Sequence, residues 1–213
     1  PFRGSWVEFT IDINNICYVH IDKKKKFPAT ALLRAFGYGT DAEVYQLFFD
    51  IVDVDLTHSG QEGQRDFTGA VLASDVVDPE TGEILVEAAS ELDEEAMALL
   101  ERAEITKVQI YSRESGQSVR GESPIVKNTL KKDPTADEGE ALSAIYSLLR
   151  PGEPPNLATA RTALERVFFN PKRYDLGRVG RYKINQRLGL DVPRSTAVLT
   201  REDFIAILRT LST

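Results

Sequence analysis

The chain has 213 residues, of which 42% are hydrophobic, 28% charged and 8% aromatic, values near globular averages that exclude disordered, collagenous and coiled-coil compositions. Its net charge of −7 is uneven: residues 60–122 carry 5 Lys or Arg against 15 Asp or Glu, and residues 171–209 carry 9 against 4, so only the second block suits a polyanion. A single cysteine, Cys17, excludes an internal disulfide, and with only His20 and His58 beside it no zinc-ligand spacing exists.

Val7, Phe9, Ile11 and Ile13 alternate with Trp6, Glu8, Thr10 and Asp12, which predicts a half-buried strand over 5–13 with Trp6 on its polar face. Asn14 and Asn15 supply a turn into a second strand, 16–21. Residues 23–26, four lysines, and Pro28 close this hairpin, and a short helix over 29–36 stops at Gly37 and Gly39. Thr40 and Glu43 have capping-box spacing for a helix over 41–49, and 51–56 reads as a strand. Gly, Ser and Gln dominate 59–64 and again 112–121. Between them lie predicted strands at 69–77 and 83–88 around the turn Asp78-Pro79-Glu80-Thr81-Gly82, a helix at 93–103 and a strand at 107–111. Two polar linkers around such a unit predict an insertion at 60–118. The remainder is helical: Asp133 with Pro134 opens 136–149, Asn156 caps a helix to 169, 176–188 is a basic helix, and Thr200 with Asp203 opens a last helix ending near 211.

No apolar run approaches the 18 or more residues of a membrane helix, and no basic segment followed by an apolar run opens the chain, so a soluble, intracellular protein without a targeting signal is expected. Pro1 stands first and Met97 is the only methionine, which reads as a piece of a longer protein.

Catalytic chemistry finds few candidates. His20 lies on a strand face with Tyr18, and His58 has no Ser or Cys motif beside it. Asp53 and Asp55 share a strand face, where a solvated surface is the ordinary outcome. Asp75, Asp78 and Glu80 lack EF-hand spacing, and Gly37-Tyr38-Gly39 lacks the further Gly and Lys of a phosphate loop. Nucleic-acid chemistry has better material. Arg178, Arg181 and Asn185 fall at i, i+3 and i+7 and predict one stripe of the basic helix, with Lys172, Arg173 and Arg187 near it to meet phosphates; a solvated basic face is the alternative. An exposed Trp6 beside Arg3 suits base stacking or a protein interface.

Three segments together resemble the bacterial DNA-dependent RNA polymerase β-subunit family. They are Arg3-Gly4-Ser5-Trp6; Asp22-Lys23-Lys24-Lys25-Lys26-Phe27-Pro28-Ala29-Thr30 with Leu32-Leu33-Arg34-Ala35; and Arg150-Pro151-Gly152-Glu153-Pro154-Pro155 followed by Phe168-Phe169, Arg173-Tyr174-Asp175-Leu176 and Gly180-Arg181-Tyr182-Lys183-Ile184-Asn185. The resemblance covers 1–59 and about 119–213. It implies an α+β lobe (β2) domain in two parts, 1–59 and 119–213, the second holding the basic helix. Residues 60–118 resemble a lineage-specific insertion of the β-β′ module type. The implied function is to form a wall of the DNA channel, contacting downstream duplex and the non-template strand, within a nucleotidyltransferase whose magnesium sits on another subunit; this segment carries no catalytic residue, metal or cofactor. Trp6 matches the family tryptophan that stacks on a non-template base. Arg173 and Arg181 match positions lining the channel, and Arg178 falls where the family pattern varies. With Arg3, Lys183 and Arg187 these complete the expected nucleic-acid-binding set. Expected partners are DNA, the β′, α and ω subunits and a sigma factor, without a membrane, in the bacterial cytoplasm at the nucleoid. The alternative function is a protein-interaction module docking a transcription factor through the acidic insertion.

Overall fold

Strands β1 (Val7–Ile11) and β2 (Cys17–Ile21) pair antiparallel with Val7 opposite Ile21 and Ile11 opposite Cys17, and β3 (Phe27–Pro28) adds to the far side of β2. The structure, a computed structural model, describes residues 5–57, 59, 61, 66–112 and 124–212. The hairpin turn works because Asn15 accepts φ of 56°, the left-handed region that Asn tolerates better than other non-glycine residues. As the alternation predicts, β1 turns Phe9 inward, where its ring meets Phe204 edge-on at 6.2 Å, and leaves Trp6 82% exposed; against it, Ile11 and Ile13 of the expected apolar face are exposed, Ile13 standing past the end of β1 in the turn.

The chain divides into two compact units, Pro1–Thr40 with Ser123–Thr213, and Asp41–Glu122. The first unit adds six helices to the hairpin sheet among its described residues: α1 (Ala29–Ala35), α4 (Pro124–Lys132), α5 (Glu138–Leu149), α6 (Leu157–Phe168), α7 (Gly177–Leu188) and α8 (Arg201–Leu211). Helix α1 is buried along its whole length and packs on α5, which packs on α6. The centre of this unit is aromatic: Phe36, Phe168, Phe169 and Phe204 lie with ring centroids 5.1–6.4 Å apart in tilted and edge-on pairs.

Two features of this unit depart from the sequence reading. Helix α4 was not expected; Val126 and Leu130, four residues apart and both buried, were its only periodic signal. It is tied to the hairpin by Thr129, whose Oγ1 accepts the Cys17 N–H at 2.9 Å. Asp133, expected to cap α5, is instead a buried hub: its carboxylate accepts from Thr30 Oγ1 at 2.6 Å, from Thr135 N–H at 3.0 Å and from Thr135 Oγ1 at 2.6 Å, and pairs with Arg34 at 3.4 Å. The cap passes to Asp137, which accepts the Glu140 N–H at 2.8 Å.

The second unit holds α2 (Asp41–Gln46), β4 (Asp50–Asp55), β5 (Val76–Val77), β6 (Ile84–Val86), α3 (Glu94–Arg102) and β7 (Lys107–Ser112). It is wider than the acidic segment 60–118, because β4 pairs along its length with β7, from Asp50 opposite Ser112 to Asp55 opposite Lys107. Val54 and Leu56 thereby join a core of Leu72, Leu92, Leu100, Val108 and Ile110. The strand expected over 69–77 survives as β5 alone. Upstream of it the chain threads irregularly, bonding on one side through Leu72 N–H to Ser90 O and on the other through Ala73 N–H to Gln109 O. Together the helices and small sheets make the expected α+β fold. Among the described residues no helix is long and apolar enough to cross a membrane.

Candidate nucleic-acid interface

The open end of the hairpin fixes the Trp6 backbone while leaving its indole free. Asp22, at φ 49°, accepts the Trp6 N–H through Oδ1 at 2.8 Å and returns its own N–H to Trp6 O at 2.9 Å. Next to this pair opens a cleft of about 610 Å³, lined by Ser5, Asp22 and Lys24 from the hairpin, Tyr146, Arg150 and Glu153 from the end of α5, Thr159 and Arg166 from α6, and Arg173. Four cationic side chains therefore face two carboxylates. Glu153 is engaged twice: it accepts the Tyr146 hydroxyl at 2.5 Å, which holds that phenol above its ordinary pKa, and it meets Arg150 at 3.7 Å. Arg150 and Glu153 are both more than half exposed, so their attraction is weak and leaves the guanidinium available. Helix α6 is held at this wall by Asn156, whose Oδ1 accepts from Ala158 N–H at 3.0 Å and Thr159 N–H at 3.2 Å.

Helix α7 is placed otherwise than its charge pattern predicts. Arg181 is 0% exposed. Its Nη1 donates to Asp203 Oδ1 at 2.6 Å, its Nε to Thr196 O at 3.0 Å, and its Nη2 to Val198 O. Asp203 meanwhile accepts the Thr200 N–H at 2.7 Å and closes the capping box of α8. Each of the three guanidinium nitrogens is bonded within the protein and none of the side chain is exposed, so no phosphate reaches Arg181, and its place in the expected DNA-binding set is corrected. Asn185 also turns inward, donating to Val192 O at 2.6 Å. Of the expected stripe, Arg181 and Asn185 lie on the packed side and Arg178 stays exposed. Helix α7 has no apolar stripe to orient it, so the fully satisfied guanidinium does so instead. Arg173, Arg178, Lys183 and Arg187 are exposed. Lys183 and Arg187 stand at i and i+4, a like-charge spacing that disfavours an isolated helix.

Arg3 and His58 lie outside the described residues. His20 is half-buried on β2 opposite Glu8. Asp53 accepts from Gln109 Nε2 at 3.0 Å, and Asp55 accepts the Thr57 N–H at 2.9 Å. Asp75 accepts the Ala88 N–H at 2.7 Å, and the Glu80 N–H, bonding at 2.7 Å, holds Asp78 below the usual carboxylate range. These carboxylates build turns and strand pairs. Burial pushes the Cys17 thiol up to about 11, so it stays protonated near neutrality.

The family model described as RNA polymerase Rpb2, domain 2, matches residues 95–212. The chain is 38% identical over 225 residues to a DNA-directed RNA polymerase subunit beta of Flavobacterium psychrophilum, and 39% identical over 224 residues to one of Bacteroides fragilis. It is 35% identical over 216 residues to one of Leptospira biflexa. Each alignment takes in 99% of this chain and 17% of the relative, so the chain spans about a sixth of the length of the proteins it matches. The satisfied Arg181–Asp203 pair, the α5–α6 wall and the final helix all lie inside the matched region, and the chain belongs to the RNA polymerase Rpb2 domain 2 family.

Proposed function

We propose that this chain is the lobe of an RNA polymerase β subunit and forms a wall of the DNA channel, with Trp6 stacking on an unpaired base and Arg173 meeting the adjoining backbone. The observation that carries this reading is an 82% exposed indole whose backbone is anchored to Asp22, a residue that itself lines a cleft with four cations, since a free aromatic face and a positive groove suit single-stranded nucleic acid. The lobe then contributes by binding and orienting DNA. Trp6 supplies a stacking surface without reading sequence, and Arg173, with Arg150, Lys24 and Arg166, neutralises phosphate charge. Bond formation belongs to the assembled nucleotidyltransferase, with β′, α and ω subunits, a sigma factor and a magnesium ion held on another subunit, in the bacterial cytoplasm at the nucleoid. Residues 60–118 are in this reading a lineage-specific insertion.

Trp6→Ala and Arg173→Ala, each built into the assembled polymerase, test it. Loss of one base-aromatic stack is worth roughly 1 to 3 kcal/mol, so Trp6→Ala is expected to shorten promoter open-complex lifetime by roughly 5- to 150-fold. Arg173→Ala is expected to shallow the salt dependence of open-complex stability by about 0.7 on log–log axes, the single-strand value for one phosphate contact. Unchanged lifetime and unchanged slope would overturn the reading.

A further inference from the structure

Among the described residues, strand β4 pairs along one side only, with β7. Which of its backbone groups face the other side follows from β7. Ala73 N–H bonds to Gln109 O at 2.8 Å and Tyr111 N–H to Val71 O at 2.9 Å, so Gln109 and Tyr111 turn their backbone groups away from β4. In an antiparallel ladder, opposed residues alternate between pairs that exchange both bonds and pairs that exchange none. Ile51, opposite Tyr111, and Asp53, opposite Gln109, are of the second kind, and their N–H and C=O groups point to the outer edge. The bond from Leu56 N–H to Thr106 O fits the same alternation. No described residue bonds to the outward groups of Ile51 and Asp53.

The side chains of Ile51, Asp53 and Asp55 share the solvent face of the strand: Ile51 is 47% exposed, and Asp53 is exposed with Gln109 donating to one of its oxygens. Edge strands are commonly closed off by proline, by a bulge or by being short. Strand β4 has none of these, since its register with β7 runs unbroken over six residues. Its guard is charge: Asp50, Asp53 and Asp55 lie in a unit whose segment 60–122 holds 15 acidic against 5 basic residues.

We propose that β4 is a strand-addition site, at which an extended segment of a partner protein joins the outer edge antiparallel, with a Lys or Arg opposite Asp53 and an apolar residue two positions later, opposite Ile51. The outward groups of Ile51 and Asp53 supply the main-chain bonds, and their side chains select the sequence. A second copy of this chain is disfavoured, because it would set Asp50, Asp53 and Asp55 of one edge against the same three of the other. The same carboxylates repel nucleic acid. The inference is independent of the DNA-wall reading.

The test uses the assembled polymerase carrying this chain and a fluorescein-labelled peptide, Ser-Thr-Lys-Thr-Lys-Thr-Val-Thr-Ser, whose binding is read by anisotropy. This peptide is expected to bind, and its counterpart with Glu for both Lys is not. N-methylation of the second Lys and the Val, whose N–H groups would face β4, is expected to abolish binding, whereas N-methylation of the Thr residues on either side of that Lys, which face away, is expected to retain it. Asp53→Lys is expected to weaken the Lys peptide by at least about fivefold and to admit the Glu peptide. Ile51→Pro, which removes an outward N–H without touching the β4–β7 bonds, is expected to weaken the Lys peptide as well. Absence of binding to the wild-type polymerase overturns the proposal. Equal binding of the two N-methylated peptides overturns it too, since charge alone would then hold the peptide, as does an affinity that Asp53→Lys leaves unchanged.

Discussion

Arg181 and Trp6 show how one side chain's surroundings decide between structure and recognition. Arg181 is a charge without water, met by one carboxylate and two carbonyls, and removing either charge of such a pair leaves the other buried and uncompensated. Arg181→Met is therefore expected to lower unfolding free energy by about 3 to 5 kcal/mol in urea titrations. Arg187→Gln, on the solvent side of the same helix, is expected to stay within about 0.5 kcal/mol of wild type. Equal effects at the two positions would show that the buried pair does not orient α7. The 82% exposed indole of Trp6 packs on little of the protein, so its deletion costs the fold little and is read instead in complexes with DNA.

At the scale of single elements, helix starts matter because they set the cleft wall. Asn156 satisfies two of the unpaired N–H groups at the start of α6, and α6 carries Thr159 and Arg166 into the cleft. Asn156→Ala is expected to cost about 1 kcal/mol, and Asn156→Asp, which keeps an acceptor, much less, both measured as urea midpoints at constant slope. An equal loss for the two would mean that packing of the residue, and not its cap, holds the helix start. The end of α7 follows the same logic in reverse: Gly189, at φ 66°, ends the helix in the left-handed conformation that glycine adopts without strain, and this lets the chain turn back toward Tyr182.

At the scale of the whole molecule, each unit has a core of its own, the Phe36, Phe168, Phe169 and Phe204 cluster in the first and a mainly aliphatic cluster with Phe67 in the second. Replacing 42–121 by a Gly-Ser linker is expected to leave a monomer with one cooperative unfolding transition, since the aromatic cluster, the hairpin and the two buried ion pairs remain. Replacing only 60–118 removes β7 and leaves Val52 and Val54 without Val108 and Ile110 across from them. That shorter deletion is expected to expose apolar surface, seen as dye binding and self-association. If it behaves as the longer deletion does, β4 finds its stability elsewhere.

Much of this was legible in order along the chain. The period-2 pattern of β1 placed Trp6 outward and Phe9 inward, Asn15 marked its turn, Asn156 and Thr200 marked two helix starts, and the strings around Arg150 and Arg173 carried the family resemblance. Such signals are local: backbone geometry fixes which side chains share a face within a few residues. What only the tertiary structure decided is which face turns inward where the sequence offers no apolar stripe, and which distant partner each face meets. The few apolar residues of helix α7 make no broad stripe and Val179 among them is exposed, so spacing alone could not say that Arg181 is inside, joined to Asp203 22 residues away. The β4–β7 pairing joins strands some fifty residues apart, and Arg194 comes over the ring of Tyr182, on the helix that precedes it. These depend on closing long loops and satisfying buried charge, energies that belong to the assembled core and to no single segment of it.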